Sequence, residues 1–132
     1  MRTTFSSRIA LLALAASACV GPAPEAAVAP AGVQHVVVLW LKRPGDAADR
    51  AALIEASRRF LAIAGVQSVR VGPPLPSERP IVDDSFDVAL VMGFADAAAL
   101  ERYQADPAHE AATREVLLPL VERLVVYDFV DR

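Results

Sequence analysis

Gln34-His35-Val36-Val37-Val38-Leu39-Trp40-Leu41 (QHVVVLWL) is a run of β-branched, aromatic and leucine side chains, closed by Lys42-Arg43-Pro44-Gly45. That composition and punctuation are those of a strand. Both of its faces are apolar, since His35, Val37, Leu39 and Leu41 alternate with Val36, Val38 and Trp40. Such a strand must be covered on two sides.

The elements that follow supply one cover. Asp46 or Asp49 is placed to cap a helix in which Leu53, Ala56, Phe60 and Ile63/Ala64 recur at three- and four-residue spacing, with Gly65 as its stop. Arg50, Glu55, Arg58 and Arg59 are left for solvent. Val66 to Gly72 reads as a second strand, and Pro73 to Ser85 as a long exposed loop with prolines at 73, 74, 76 and 80. Phe86 to Phe94 forms a third strand with Phe86, Val88, Leu90, Met92 and Phe94 on one face. Asp96 caps a short helix to Ala105. Asp106-Pro107 then opens another, carrying His109, Ala112, Thr113, Val116, Leu117 and Leu120 on one stripe until Pro119 ends or kinks it. Leu124 to Val130 is the last strand. The order β-α-β-β-α-α-β is an α+β, ferredoxin-like split βαβ pattern, an antiparallel sheet with its helices on one face.

No helix is left to cover the other face. Val36, Val38, Trp40, Ala89, Val91, Val125, Tyr127 and Phe129 would form an apolar surface on which a monomer aggregates. A second copy is the economical cover, so a two-fold homodimer with facing sheets is expected, its interface including Val36, Val38, Trp40, Val91, Tyr127 and Phe129.

Before this domain lies a different kind of sequence. Met1 to Arg8 carries two arginines and no acid, Ile9 to Ala16 is wholly apolar, and Ala16-Ser17-Ala18 precedes Cys19, the one cysteine among the 132 residues. This is the layout of an export signal, residues 1–18. At about eight to ten residues the apolar run is far short of the roughly 20 that span a bilayer. Ala16-Ser17-Ala18-Cys19 resembles the bacterial lipobox, with alanine where leucine is usual, which implies lipidation of Cys19. Ordinary cleavage after Ala18 and an incidental buried cysteine are the alternatives. Residues 19–33 include Gly21 to Ala31 (GPAPEAAVAPA), whose prolines make a semi-rigid tether reaching on the order of 40 Å. Val20 after the cysteine, by the same resemblance, implies an outer-membrane lipoprotein facing the periplasm. A soluble periplasmic or secreted protein is the other outcome. The folded domain is residues 34–132.

The formal net charge is −3, and without Arg2 and Arg8 eleven bases face sixteen acids, a net of −5. No basic cluster remains to follow a phosphate backbone, so nucleic acid is excluded as the expected partner. One cysteine makes neither an internal disulfide nor a thiolate-rich zinc site. No glycine pattern for phosphate binding and no G-x-S-x-G elbow occurs.

Several stretches, in order and at the expected separations, resemble the stress-responsive A/B barrel domain (Dabb) family of the dimeric α/β-barrel superfamily. They are His35-Val36-Val37-Val38-Leu39, Ala64-Gly65-Val66, Gly93-Phe94-Ala95-Asp96, Tyr103-Gln104-Ala105-Asp106-Pro107-Ala108-His109 and Leu124-Val125-Val126-Tyr127-Asp128-Phe129. The resemblance implies a dimeric α/β barrel, in agreement with the uncovered face. The family is functionally mixed: plant proteins associated with stress tolerance, many bacterial proteins, and polyketide cyclases that use a histidine and a tyrosine in a pocket between sheet and helices. His109 and Tyr103 match that pair, and His35 matches a pocket-lining position on the first strand. Val88 stands where such cyclases place a further histidine, and Asp106 where the commoner H-P-A-H motif has its first.

The resemblance therefore implies a ligand pocket at His35, Val88, Leu90, Tyr103 and His109, with His109 and Tyr103 as a candidate catalytic acid/base pair. A second reading makes His109 structural, bonding a nearby backbone carbonyl or Tyr103, and His35 a fixture of its strand end. His35 and His109 with Asp87 or Asp106 lack the spacing of a metal site, and no metal or cofactor is expected. Asp83, Asp84 and Asp87 read as a solvated loop. Three functions follow: a membrane-tethered homodimer that binds a small apolar or aromatic ligand or serves envelope stress tolerance; a cofactor-free cyclase or small monooxygenase; or a structural assembly unit whose pocket is filled by its own side chains.

Overall fold

The computed structural model describes residues 32–131. The leader, Cys19 and the tether through Ala31 lie outside the described residues. The elements are β1 (Val33–Leu41), α1 (Ala47–Arg59), β2 (Val66–Gly72), β3 (Val88–Phe94), α2 (Ala97–Gln104), α3 (Pro107–Ala112), a single turn α4 (Leu118–Leu120) and β4 (Val121–Val130). A 3₁₀ turn, Phe60–Ala62, follows α1, and a π turn, Thr113–Leu117, joins α3 to α4. The sheet order is β2-β3-β1-β4 with every pairing antiparallel, the split βαβ architecture with helices on one face. Val33, assigned to the tether from sequence, is the first residue of β1.

β1 sits between β3 and β4, and from Val36 to Leu41 it is apolar on both faces. Its burial alternates strictly, with Val33, His35, Val37, Leu39 and Leu41 turned into the helix side. Opposite them in register, His35 faces Met92 on β3 and Asp128 on β4, and Leu39 faces Val88 and Leu124. Asp46 accepts from the backbone N–H groups of Ala48 and Asp49 and starts α1, and Arg58 and Arg59 complement its C-terminal dipole. Gly65 takes φ +92, a left-handed value that other residues avoid, to turn the chain into β2. Asp96 and Asp106 cap α2 and α3 in the same way, with Pro107 in the first turn of α3.

The core lies between the sheet and the helices. Leu39, Leu90, Met92 and Phe94 from the sheet meet Leu53, Phe60, Leu100 and Tyr103. Met92 and Phe94 are fully buried, and truncating a side chain of this kind to alanine costs about 2–5 kcal/mol.

Several expectations need correction. β3 begins at Val88, not Phe86. The Asp87 N–H is spent on the Leu39 carbonyl at 2.8 Å, and the β2–β3 ladder starts only at Gly72 opposite Ala89. Asp87 itself is not solvated: it is 4% exposed. Its carboxylate accepts from the N–H of Leu41 at 2.9 Å, the N–H of Gly45 at 2.7 Å and the Arg50 guanidinium at 3.1 Å. Arg50, expected in solvent, is thereby drawn under the 42–46 turn. Burial alone would raise the Asp87 carboxyl, but the two N–H bonds and Arg50 outweigh it and hold it below the usual aspartate range. β4 begins at Val121, three residues before Leu124, because a bulge between Trp40 and Leu41 brings Val121 opposite Leu41. The helical stretch ends at Leu120 as Pro119 dictates. Its π turn lies where the proline ring would meet the carbonyl of Glu115, so the widened turn relieves that clash.

The outer face holds Val36, Val38 and Trp40 beside Val91 and Ala89 on one side and Tyr127, Phe129 and Val125 on the other. Tyr127 is 59% and Phe129 52% exposed. Trp40 is partly engaged: its indole N–H donates to Ser85 Oγ at 3.1 Å, and the Arg123 guanidinium lies 3.6 Å over its ring. No element among the described residues covers this face.

Candidate functional site

Between the inner face of the sheet and the helices is an open pocket of about 340 Å³. Val37, Leu39, Leu90, Leu124 and Val126 form its sheet wall, while Leu53, Ala56, Phe60, Ala112, Val116 and Leu117 form its helix wall. The polar groups that line it are His35, Ser57, Tyr103, Gln104, His109 and Thr113, with no Lys, Arg, Asp or Glu among them. The space beside His109 is therefore cavity, not packed side chain, which removes the premise of a self-filled structural unit. Its volume lies at the small end of the range for small-molecule sites, roughly 300–1,000 Å³.

The sequence-expected residues divide clearly. His35, Tyr103, His109 and Leu90 line the pocket. Val88 does not: it has no exposed surface and belongs to the core at the Leu39 end of β3. Val36, Val38, Trp40, Val91, Tyr127 and Phe129 all fall on the outer face, away from the pocket.

Tyr103 is the centre of an aromatic cluster. Its ring centroid lies 4.5 Å from His109, 5.2 Å from Phe94, 5.7 Å from Phe60 and 6.1 Å from His35. Burial pushes its phenol well above the ordinary tyrosine value, so at neutral pH it is a hydroxyl and donates. It is no base. α2 ends at Gln104, whose free carbonyl accepts from Nδ1 of His109 at 3.1 Å. A carbonyl only accepts, so Nδ1 carries the proton, and in the neutral ring Nε2 keeps the lone pair.

His35 is held by the same logic. Its Nδ1 lies 2.6 Å from Oδ1 of Asp128, the residue opposite it on β4. The carboxylate accepts, so Nδ1 carries a proton, and in the neutral ring Nε2 is again the acceptor. Asp128 escaped sequence reading because it looked like one polar position in a closing strand. The legible signal was its phase: Leu124, Val126 and Asp128 share the face that β1 lines with Leu39, Val37 and His35. Among the described residues only Arg50 Nε is a fully buried side-chain nitrogen or oxygen without a partner. Nε2 of His35 and the Tyr103 hydroxyl, on residues 6% and 1% exposed, therefore keep their residual surface toward the pocket they line.

No three His, Cys, Asp or Glu side chains among the described residues are placed to hold a metal. No helix among them is long and apolar enough to cross a membrane.

A four-stranded antiparallel sheet with helices on one face and a pocket between the two layers defines a ferredoxin-like α+β domain. The sequence pattern of the Stress Responsive A/B Barrel Domain, Dabb, matches residues 33–131, and the chain belongs to that family. A Dabb family protein with a ferredoxin-like fold from Mesorhizobium loti is 31% identical with a TM-score of 0.62, over 76% of this chain and 96% of that one. A dimeric ferredoxin-like protein of unknown function from Bacteroides fragilis is 20% identical with a TM-score of 0.61, over 75% and 95% of the two chains. A hydroxynitrile lyase from Passiflora edulis is 20% identical with a TM-score of 0.64, over 76% and 93%. The last two likenesses concern fold. No curated protein matches the chain.

Proposed function

We propose that the protein is a homodimeric barrel that binds a small apolar or aromatic molecule in the pocket between its sheet and helices. The observation that carries this is the open pocket of about 340 Å³, walled by aliphatic side chains with His35, Tyr103 and His109 together on its lining. The dimer rests on the apolar outer face and on the dimeric state of the Bacteroides fragilis relative. Export and attachment through an acylated Cys19, with the Pro/Ala tether as spacer, complete the proposal and place the barrel in the cell envelope. Multiple acyl chains there give stable anchoring where one gives only marginal binding.

The test is native mass spectrometry of the protein purified gently from its own host. A dimer carrying a retained small molecule is expected; a monomer with an empty pocket would overturn the proposal.

One observation favours a second reading, a cofactor-free enzyme. The Gln104 carbonyl holds Nδ1 of His109, which leaves Nε2 of the neutral ring to act as a base. This ring lies 4.5 Å from that of Tyr103, so a base and a hydroxyl donor for acid/base chemistry come from neighbouring rings. Turnover of the retained molecule, lost in His109→Ala, would establish it.

A further inference from the structure

We propose that the pocket selects neutral aromatic molecules bearing a hydroxyl donor, of the phenol or enol type, and rejects carboxylates and other anions. This deepens the ligand-binding reading and rests on it.

The selection follows from the hydrogen-bond inventory of the wall. In the neutral ring each imidazole commits its one N–H to the protein, His35 to the Asp128 carboxylate and His109 to the Gln104 carbonyl. Each is left with a lone pair on Nε2, and these accept but do not donate. Tyr103, whose ring lies 4.5 Å from that of His109 and 6.1 Å from that of His35, has a hydroxyl with no hydrogen-bond partner among the described residues, free to donate. A ligand hydroxyl meets both demands at once, giving its proton to an imidazole and accepting from Tyr103. An apolar ligand of equal size leaves these groups unpaired as it displaces their water, which disfavours it.

An anion fares worse. The lining holds no lysine or arginine, so a carboxylate would be desolvated among aliphatic side chains, facing two lone pairs and without a counter-ion. The volume restricts the ligand further, to one or two rings.

The test uses residues 32–132. The Mesorhizobium loti relative is covered over 96% of its own length by the match, so this domain is a folding unit without the leader and tether. Titration calorimetry compares three probes of one shape: 1-naphthol, 1-methylnaphthalene and 1-naphthoate. The expected result is 1-naphthol at least about tenfold tighter than 1-methylnaphthalene, with 1-naphthoate weakest. His109→Ala should shrink the naphthol preference, and Asp128→Asn should do so independently if the first variant folds poorly. Equal binding of naphthol and methylnaphthalene would overturn the inference and leave the pocket reading standing. Tightest binding of naphthoate, accompanied by proton uptake, would overturn it in the opposite sense. Failure of all three probes would instead defeat the ligand-binding reading itself.

Discussion

Nδ1 of His35 and Oδ1 of Asp128 meet at 2.6 Å across the β1–β4 ladder, joining a buried ring to a carboxylate that is 44% exposed. A charge-assisted bond of this kind is worth roughly 1.5–3 kcal/mol when shielded, and the exposure of Asp128 reduces it to about 1 kcal/mol. Asp128→Asn should therefore lower the urea midpoint by a small amount. Its larger effect should be on the ring, because an amide can donate as well as accept. Nitrogen-15 NMR of His35 should show the Nδ1–H tautomer dominant in the wild type and mixed in the variant.

His109 touches Tyr103 and Phe60 from a half-exposed position, with ring centroids at 4.5 and 5.7 Å. His109→Ala should cost about 1 kcal/mol of stability and leave the dimer intact by light scattering, while weakening ligand retention. Clear unfolding of this variant would assign the histidine to structure.

Asp87 holds together three segments: the end of β1, the turn at Gly45 and the first turns of α1 through Arg50. Asp87→Ala leaves the buried Leu41 N–H, the Gly45 N–H and a guanidinium without their acceptor. A loss of about 3 kcal/mol is expected by denaturant titration. The carboxyl is held low in the fold, so its contribution is fully present above the ordinary aspartate value of 3.8. It is lost as pH falls below that value and through the lower folded one. Asp87→Asn should accordingly flatten the acid limb of the stability curve, a comparison that circular dichroism makes directly.

Trp40→Asp places a carboxylate in the outward apolar face and removes the platform under Arg123. The dimer should dissociate at micromolar concentrations by analytical ultracentrifugation, with the fold retained. A normal dimer would move the interface elsewhere.

Cys19→Ser should abolish lipid attachment. The intact mass of the wild-type protein extracted from its host should exceed that of residues 19–132 by acyl chains. The variant should leave the membrane fraction.

β1 was the most legible element, because the unbroken apolar run from Val36 to Leu41 marks a central strand whatever surrounds it. The three aspartate caps were legible for a local reason: capping needs only a carboxylate and the two or three residues after it. Asp87 was not. Two acids and a serine precede it in the proline-rich loop, and its partners lie 37 to 46 residues away, so proximity in sequence argued for solvent. At the pocket, the residues that line it from regular positions, His35, Leu90, Tyr103 and His109, were accessible to phase and resemblance. Val88 was not separable from Leu90, since both face inward and only the depth of packing at the Leu39 end distinguishes them. Asp128 required the β1–β4 register, which depends on the bulge at Trp40 and Leu41.

β4 presents Leu124, Val126 and Asp128 to one side and Val125, Tyr127 and Phe129 to the other. Side chains alternate with a period of two, so a slip of one residue would exchange the two sets completely. Adding or deleting a single residue between Pro119 and Arg123 would thus transplant Tyr127 into the pocket and strand Asp128 on the outward surface. That short junction contributes no residue to the pocket lining, yet it is the hinge of the molecule's two-sidedness and the place where length matters more than residue identity.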